Sequence, residues 1–387
     1  MLEVFFAFLK LGLTSFGGPV AHLGYFRTEF VERRKWLDDH NYSDLVALCQ
    51  FLPGPASSQV GIALGLARAG WMGALAAWVG FTLPSATLLI LFALGVTEWA
   101  SLANSGLIHG LKIAAVAVVA QALWSMARSL CPDRVRASLA IASALLVLAV
   151  PSTWSQIVAI ACAGLIGHHW LRLEQIPPGQ HLNYNVSKRT GLLLLGLFGG
   201  LLLALPWLAD ILISPLLAGI ATFYQAGALV FGGGHIVLPL LQSGVVPTGA
   251  LSNELFVAGY GATQAVPGPL FTFAAYLGAA MGAPFGGWFG GLVLLIAIFV
   301  PAFLLIIGCL PFWETVRRSD AIRRAISGIN AAVVGILLAA LYDPVWTSAI
   351  HTRNDFALAL LAFGLLVYGK VSPVIVVILC AAVGGIL

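Results

Sequence analysis

Charge is what this sequence has least of. Of its 387 residues, 60% are hydrophobic and only 9% are Asp, Glu, Lys or Arg. Soluble chains carry about a quarter charged residues, so a soluble fold is excluded and no nucleic-acid partner is expected. Carboxylates are absent from the middles of the apolar stretches: Glu29, Asp39, Asp44, Glu98, Glu254 and Glu314 fall in loops or at segment ends. A pathway for cations would need buried Asp or Glu, and this chain offers donors instead. The five cysteines (Cys49, Cys131, Cys162, Cys309, Cys380) have no C-x-x-C spacing, which removes a disulfide framework and a metal site. H-E-x-x-H, G-x-S-x-G and G-x-x-x-x-G-K-[ST] are all missing, so neither catalytic residues nor a cofactor are expected. Residues 1–13 lack a basic flank and a small-residue cleavage site, and read as structure rather than as a signal peptide.

What is present is a pair of doubled stretches. Gln50-Phe51-Leu52-Pro53-Gly54-Pro55-Ala56-Ser57-Ser58 returns as Gln264-Ala265-Val266-Pro267-Gly268-Pro269-Leu270-Phe271-Thr272. Upstream of each, Phe16-Gly17-Gly18-Pro19 is matched by Phe231-Gly232-Gly233-Gly234. Proline lacks the N–H and clashes with the preceding turn, so each copy must interrupt a helix. In a bilayer such interruptions are tolerated only against protein, water or a ligand. Paired interruptions in two halves are the best sequence pointer to a transporter's binding site.

The repeats organise the chain into residues 1–171, a linker and extra span over 172–211, and a second repeat over 212–387. In the first repeat, 42–68 reads as two short helices too brief to cross a core that needs about 20 residues, hence a re-entrant hairpin. Residues 71–96, with a kink at Pro84, and 107–127 are full spans, while 137–150 and 155–171 are thin or tilted ones. In the second repeat Pro301 answers Pro84, and Asn330 stands opposite Lys112. The net charge of +4 matters less than its placement. Loop 27–37 is basic and its counterpart 241–253 is not, whereas 98–106 has no Lys or Arg and 314–324 holds Arg317, Arg318, Arg323 and Arg324. Cytoplasmic loops carry the positive excess, so equivalent loops lie on opposite sides. The expectation is an all-α polytopic membrane protein of two inverted-topology repeats, with broken, re-entrant helices around a midplane site. Trp71, Trp78, Trp99, Trp207 and Trp313 read as an interfacial belt.

Half-helices beginning after Pro55 and Pro269 expose N–H groups without intrahelical partners, which favour an anion by about 0.3–1 kcal/mol, and up to ~2 when partly buried. Around them the substrate-binding candidates are Lys10, Gly17, Gly18, His22, Gln50, Pro53, Gly54, Pro55, Ser57, Ser58 and Lys112 in the first repeat. Their partners in the second are Gly232, Gly233, His235, Gln264, Pro267, Gly268 and Pro269. The competing reading is that the Gly-Gly and Pro-Gly-Pro breaks serve close helix packing. For the lysines it is snorkelling to a headgroup, and for the histidines a bond to a carbonyl. An intramembrane enzyme acting on a phosphorylated lipid would need a buried carboxylate to pair with a histidine, and none is offered.

The doubled Phe-Gly-Gly and Gln-x-x-Pro-Gly-Pro motifs, with the amphipathic stretch through Trp36-Leu37, resemble the chromate ion transporter family in its long-chain form with two homologous halves. The resemblance implies export of chromate across the bacterial inner membrane and resistance to it, with sulfate as the related oxyanion and uptake of sulfate as the alternative. It leaves a homodimer open. Gly234 in place of Pro19, and Asn330 in place of Lys112, make any site asymmetric.

Overall fold

A computed structural model of the chain describes residues 1–16, 18–98, 106–150, 153–171, 186–231, 234–313, 315 and 319–384, and every regular element among them is helical. In the first half, α1 (Leu2–Thr14) stops at Ser15, and α2 (Gly18–Phe26) runs into a π-helical turn over Arg27–Arg33. Asp38 caps α3 (Asp39–Phe51) by accepting from the Asn41 N–H. The helix stops there because Pro53 and Pro55 cannot donate to its last carbonyls. After this break α4 (Ala56–Glu98) consists of a short piece and a long one, joined where Ala69 and Gly70 leave helical dihedral angles. Next come α5 (Gly106–Leu130), α6 (Arg134–Ala149) and α7 (Thr153–Trp170).

After the linking helix α8 (Lys188–Ile211), the same order returns. It begins with α9 (Pro215–Leu229), a break, and α10 (Val237–Val245). Then α11 (Asn253–Ala265), a second break and α12 (Phe273–Ala280) precede the long α13 (Gly287–Cys309). Then come α14 (Asp320–Ala340), which runs on through a π-helical turn and a short helical turn to Ala349, α15 (Arg353–Val367) and α16 (Pro373–Gly384). Among the described residues, five helices are long and apolar enough to cross a membrane: Ala56–Val96, Gly106–Leu130, Lys188–Ile211, Gly287–Phe312 and Asp320–Ala349. In α8 only 6% of the most apolar window is buried inside the protein, and the exposed Leu192, Leu193, Leu197 and Leu203 face the bilayer.

Packing repeats as the order does. Helix α1 lies on α4, and α9 lies on α13. The last three helices of each half are exchanged: α5 packs against α15 and α16, while α14 packs against α6 and α7. The same glycine contact appears in both exchanges. A side chain on Gly110 would strike the Cys380 carbonyl, and one on Gly328 the Ala163 carbonyl. Small residues let backbones approach where lipid gives no hydrophobic drive between helices. Each half thus completes the other's bundle. Aromatic edges fill the first half's core, with Phe8 4.8 Å from Phe30 and Phe26 5.1 Å from Phe81 between ring centres.

One sequence expectation changes. Trp78 packs 5.6 Å from Phe299, and Trp313 packs 5.8 Å from Phe51, so both belong to the core rather than to an interfacial belt. Trp71 and Trp207 are exposed, and Trp99 lies outside the described residues. Pro84 and Pro301 both sit inside helices, and in α4 the backbone leaves helical angles at Ala69 and Gly70.

Candidate anion-binding site

The four helix breaks meet crosswise. At Gly54 the backbone takes φ +116° and at Gly268 φ +108°, a region that side-chain-bearing residues rarely adopt. These turns aim the glycine N–H groups away from their own helices. Gly54 N–H donates to the Val230 carbonyl at 2.6 Å, and Gly268 N–H donates to the Ser15 carbonyl at 3.0 Å. Each Pro-Gly-Pro break is therefore pinned to the Phe-Gly-Gly break of the other half. The pairing satisfies donors and acceptors that interrupted helices would leave open in an apolar interior. A further link is His22 on α2, whose Nδ1 lies 3.4 Å from the Ser57 hydroxyl in the first turn of α4.

Beside Gly268 opens a cavity of about 390 Å³. Its walls include Phe16 and Gly18 from one break, Gln264 and Gly268 from the other, Gln121 of α5, and Lys370 at the exposed end. No carboxylate is present among its described lining residues. The Gln264 Nε2 is buried without a partner, a donor left for a ligand. Also on the wall is His235, whose Nδ1 shares a 2.6 Å hydrogen bond with the Tyr260 hydroxyl. Thr263 adds little, because its hydroxyl already donates to the Gly259 carbonyl at 2.8 Å. The volume is that of an ordinary small-ligand pocket, with room for a tetrahedral oxyanion and part of its water.

Of the residues predicted from sequence, Gly18, His235, Gln264 and Gly268 line this cavity, and Pro267 and Pro269 flank it. His22, Ser57 and Ser58 are buried beside the first break with Gly54 and Pro55, and the Pro53 carbonyl accepts from Gln59 Nε2 at 2.8 Å. Gln50 faces outward, so the two copies of that motif are not equivalent. Gly17, Gly232 and Gly233 lie outside the described residues.

The two intramembrane lysines go elsewhere. Lys10 does not reach a break: it is half exposed and pairs with Glu29 at 3.5 Å. Glu29 also takes Arg34 at 2.7 Å and Arg33 at 3.3 Å. Burial would raise its carboxyl, but Arg34, Lys10 and Arg33 outweigh that and hold it below the ordinary value. Lys112 is buried on α5 within electrostatic reach of Glu254 and Asp355, near the His109–Asp355 pair (2.8 Å), and does not line the cavity. Gln121 and Lys370 were missed. Gln121 is a lone amide in the middle of an apolar span, a signal that was there to read. Lys370 counted only as a topological charge, and nothing local in the sequence sets it against Gly268.

A sequence model described as chromate transporter matches residues 2–168 and 217–386, one match for each half. A probable chromate transport protein of Synechococcus elongatus is 29% identical, covering 98% of this chain and 93% of its own. A chromate transport protein of Cupriavidus metallidurans is 29% identical, covering 97% and 90%. One of Pseudomonas aeruginosa is 26% identical, covering 99% and 91%. No solved structure matches.

Proposed function

Because the chain belongs to the chromate transporter family, we propose that it exports chromate across a bacterial inner membrane through the cavity beside Gly268, and so confers resistance. The observation that carries this reading is the lining: one lysine, two amides and a backbone break, without an acid among the described residues. Neutral donors with a single cation hold an oxyanion and still release it, whereas a cation pathway would need carboxylates. The test is thermal stabilisation of the purified protein by chromate, sulfate, molybdate and phosphate. Chromate should stabilise most, and Lys370→Gln should raise the concentration needed by about tenfold, the scale of one charge-assisted hydrogen bond. Equal responses to all four anions in both proteins would sink the reading.

The repeats are inverted in this proposal, with the cavity open to the cytoplasm. Support comes from charge and from contact. Apart from Lys10 and Lys112, every Lys and Arg but Arg353 then falls on one side, together with the cavity's exposed Lys370. Broken hairpins entering from opposite faces would meet tip to tip, as Gly54 meets Val230. Single cysteines at positions 33, 248, 353 and 370, in a chain without native cysteines, test this with an impermeant thiol reagent. In intact cells 248 and 353 should react while 33 and 370 stay protected. Reaction of 33 and 248 from the same face would contradict the inversion.

A further inference from the structure

His235 stands at the cavity wall, in the short turn Gly234–Ile236 that follows the second glycine break. One of its ring nitrogens is engaged: Nδ1 lies 2.6 Å from the hydroxyl of Tyr260, in the middle of α11. Tyr260 is fully buried, with its ring 5.6 Å from Phe273 between centres. Among the described residues its hydroxyl has no other partner. The direction of the hydrogen bond follows from that isolation. A phenol keeps its hydrogen at neutral pH, and a buried hydroxyl donates where an acceptor is within reach. Had the ring donated instead, the phenol's hydrogen would be left buried and unpaired. Tyr260 therefore donates, Nδ1 accepts, and the neutral imidazole carries its own hydrogen on Nε2.

Nε2 is the nitrogen left for the cavity. It makes no hydrogen bond with a described residue, and it keeps open surface, whereas the His22 Nε2 is sealed away. One turn along α11 from Tyr260 stands Gln264, on the same cavity wall and with its own Nε2 unpartnered. Positions four apart share a helix face, so α11 supplies one donor through its own side chain and sets another through His235. The first repeat has no such pair. Aligning Gln50 with Gln264 puts Val46 opposite Tyr260, and His22 is not among the described lining residues.

We propose that Tyr260 is a positioning residue: by donating to Nδ1 it holds His235 as a donor at Nε2, which favours an oxyanion without hydrogen over one that carries it. A chromate or sulfate dianion offers only acceptors to Nε2–H. A hydrogen phosphate that turns its P–O–H toward the same point meets a second hydrogen. Without the phenol, the imidazole is free to carry its hydrogen on Nδ1 and accept from that group. This role rests on the cavity being the oxyanion site, yet the two are separable. The experiment is ¹⁵N NMR of the histidine-labelled protein in nanodiscs, with the His235 signals assigned by their loss in His235→Gln. One-bond coupling shows which ring nitrogen carries the hydrogen. In the parental protein it should be Nε2, and added chromate should shift that signal. In Tyr260→Phe, which keeps the ring beside Phe273, hydrogen should appear on both nitrogens. Selectivity is read as thermal stabilisation in mildly alkaline buffer, where chromate has no hydrogen and phosphate keeps one. The preference for chromate over phosphate should narrow by about tenfold in Tyr260→Phe, the scale of one hydrogen bond to an anion. A hydrogen on Nδ1 in the parental protein overturns the role of Tyr260, while a chromate shift of His235 leaves the cavity standing. An unchanged preference in Tyr260→Phe overturns it too. If chromate moves neither His235 nitrogen, the cavity reading fails and the role of Tyr260 with it.

Discussion

Gly268→Leu is expected to reduce chromate flux to background while the protein still reaches the membrane. Two effects combine. At φ +108° any side chain is strained, at a cost of roughly 1–3 kcal/mol. Its Cβ would also stand 2.8 Å from the Ser85 hydroxyl and 3.3 Å from the Phe81 carbonyl, the second of which is backbone and cannot swing aside. Relief requires the break to retreat from Ser15, which gives up the 3.0 Å hydrogen bond and moves the cavity wall. Gly54→Leu should behave alike, since φ is +116° there and the Cβ would meet Gln59 Nε2 at 2.9 Å. Flux in reconstituted vesicles, read beside the amount of inserted protein, is the check. Parental rates in both variants would reduce the breaks to packing features.

Membrane potential should dominate the distribution of chromate. A dianion leaving a compartment held negative gains about 2.3 kcal/mol per charge per 100 mV. For chromate that is roughly 4.6 kcal/mol at 100 mV, or more than a thousandfold in concentration ratio. The described cavity lining contains no carboxylate to carry a proton with the anion, and the prediction is that the potential supplies the drive without one. Vesicles with an imposed potassium diffusion potential should therefore accumulate chromate on the positive side. Flux that ignores the potential and follows a pH gradient would instead indicate exchange with protons.

The breaks were legible because proline and glycine act through backbone chemistry that holds in any surroundings. Phe51 ends a helix before Pro53, and Ala265 before Pro267, as the sequence implies. The doubled order of elements was legible for the same reason. What could not be read was the crossing of the halves. Nothing near Gly54 points to Val230, and nothing near Gly110 points to Cys380, because those contacts are made by backbone atoms whose partners lie far along the chain. Lys10 misled for a related reason: a lysine within two turns of a break looks available, but Glu29 returns from the following arm to claim it. Gln50 and Gln264 occupy equivalent sequence positions, yet Gln50 is exposed while Gln264 lines the cavity.

Substrate protection at Gln121 tests most directly whether chromate occupies the cavity from the cytoplasmic face. Gln121 lines that cavity, so a cysteine placed there, in a chain freed of its native cysteines, reports on the space itself. An impermeant thiol reagent should label it in inside-out vesicles and not in intact cells, and chromate should slow the labelling over the same concentration range that saturates flux. Labelling that proceeds at one rate with and without saturating chromate, in protein that still transports it, would place the substrate somewhere else.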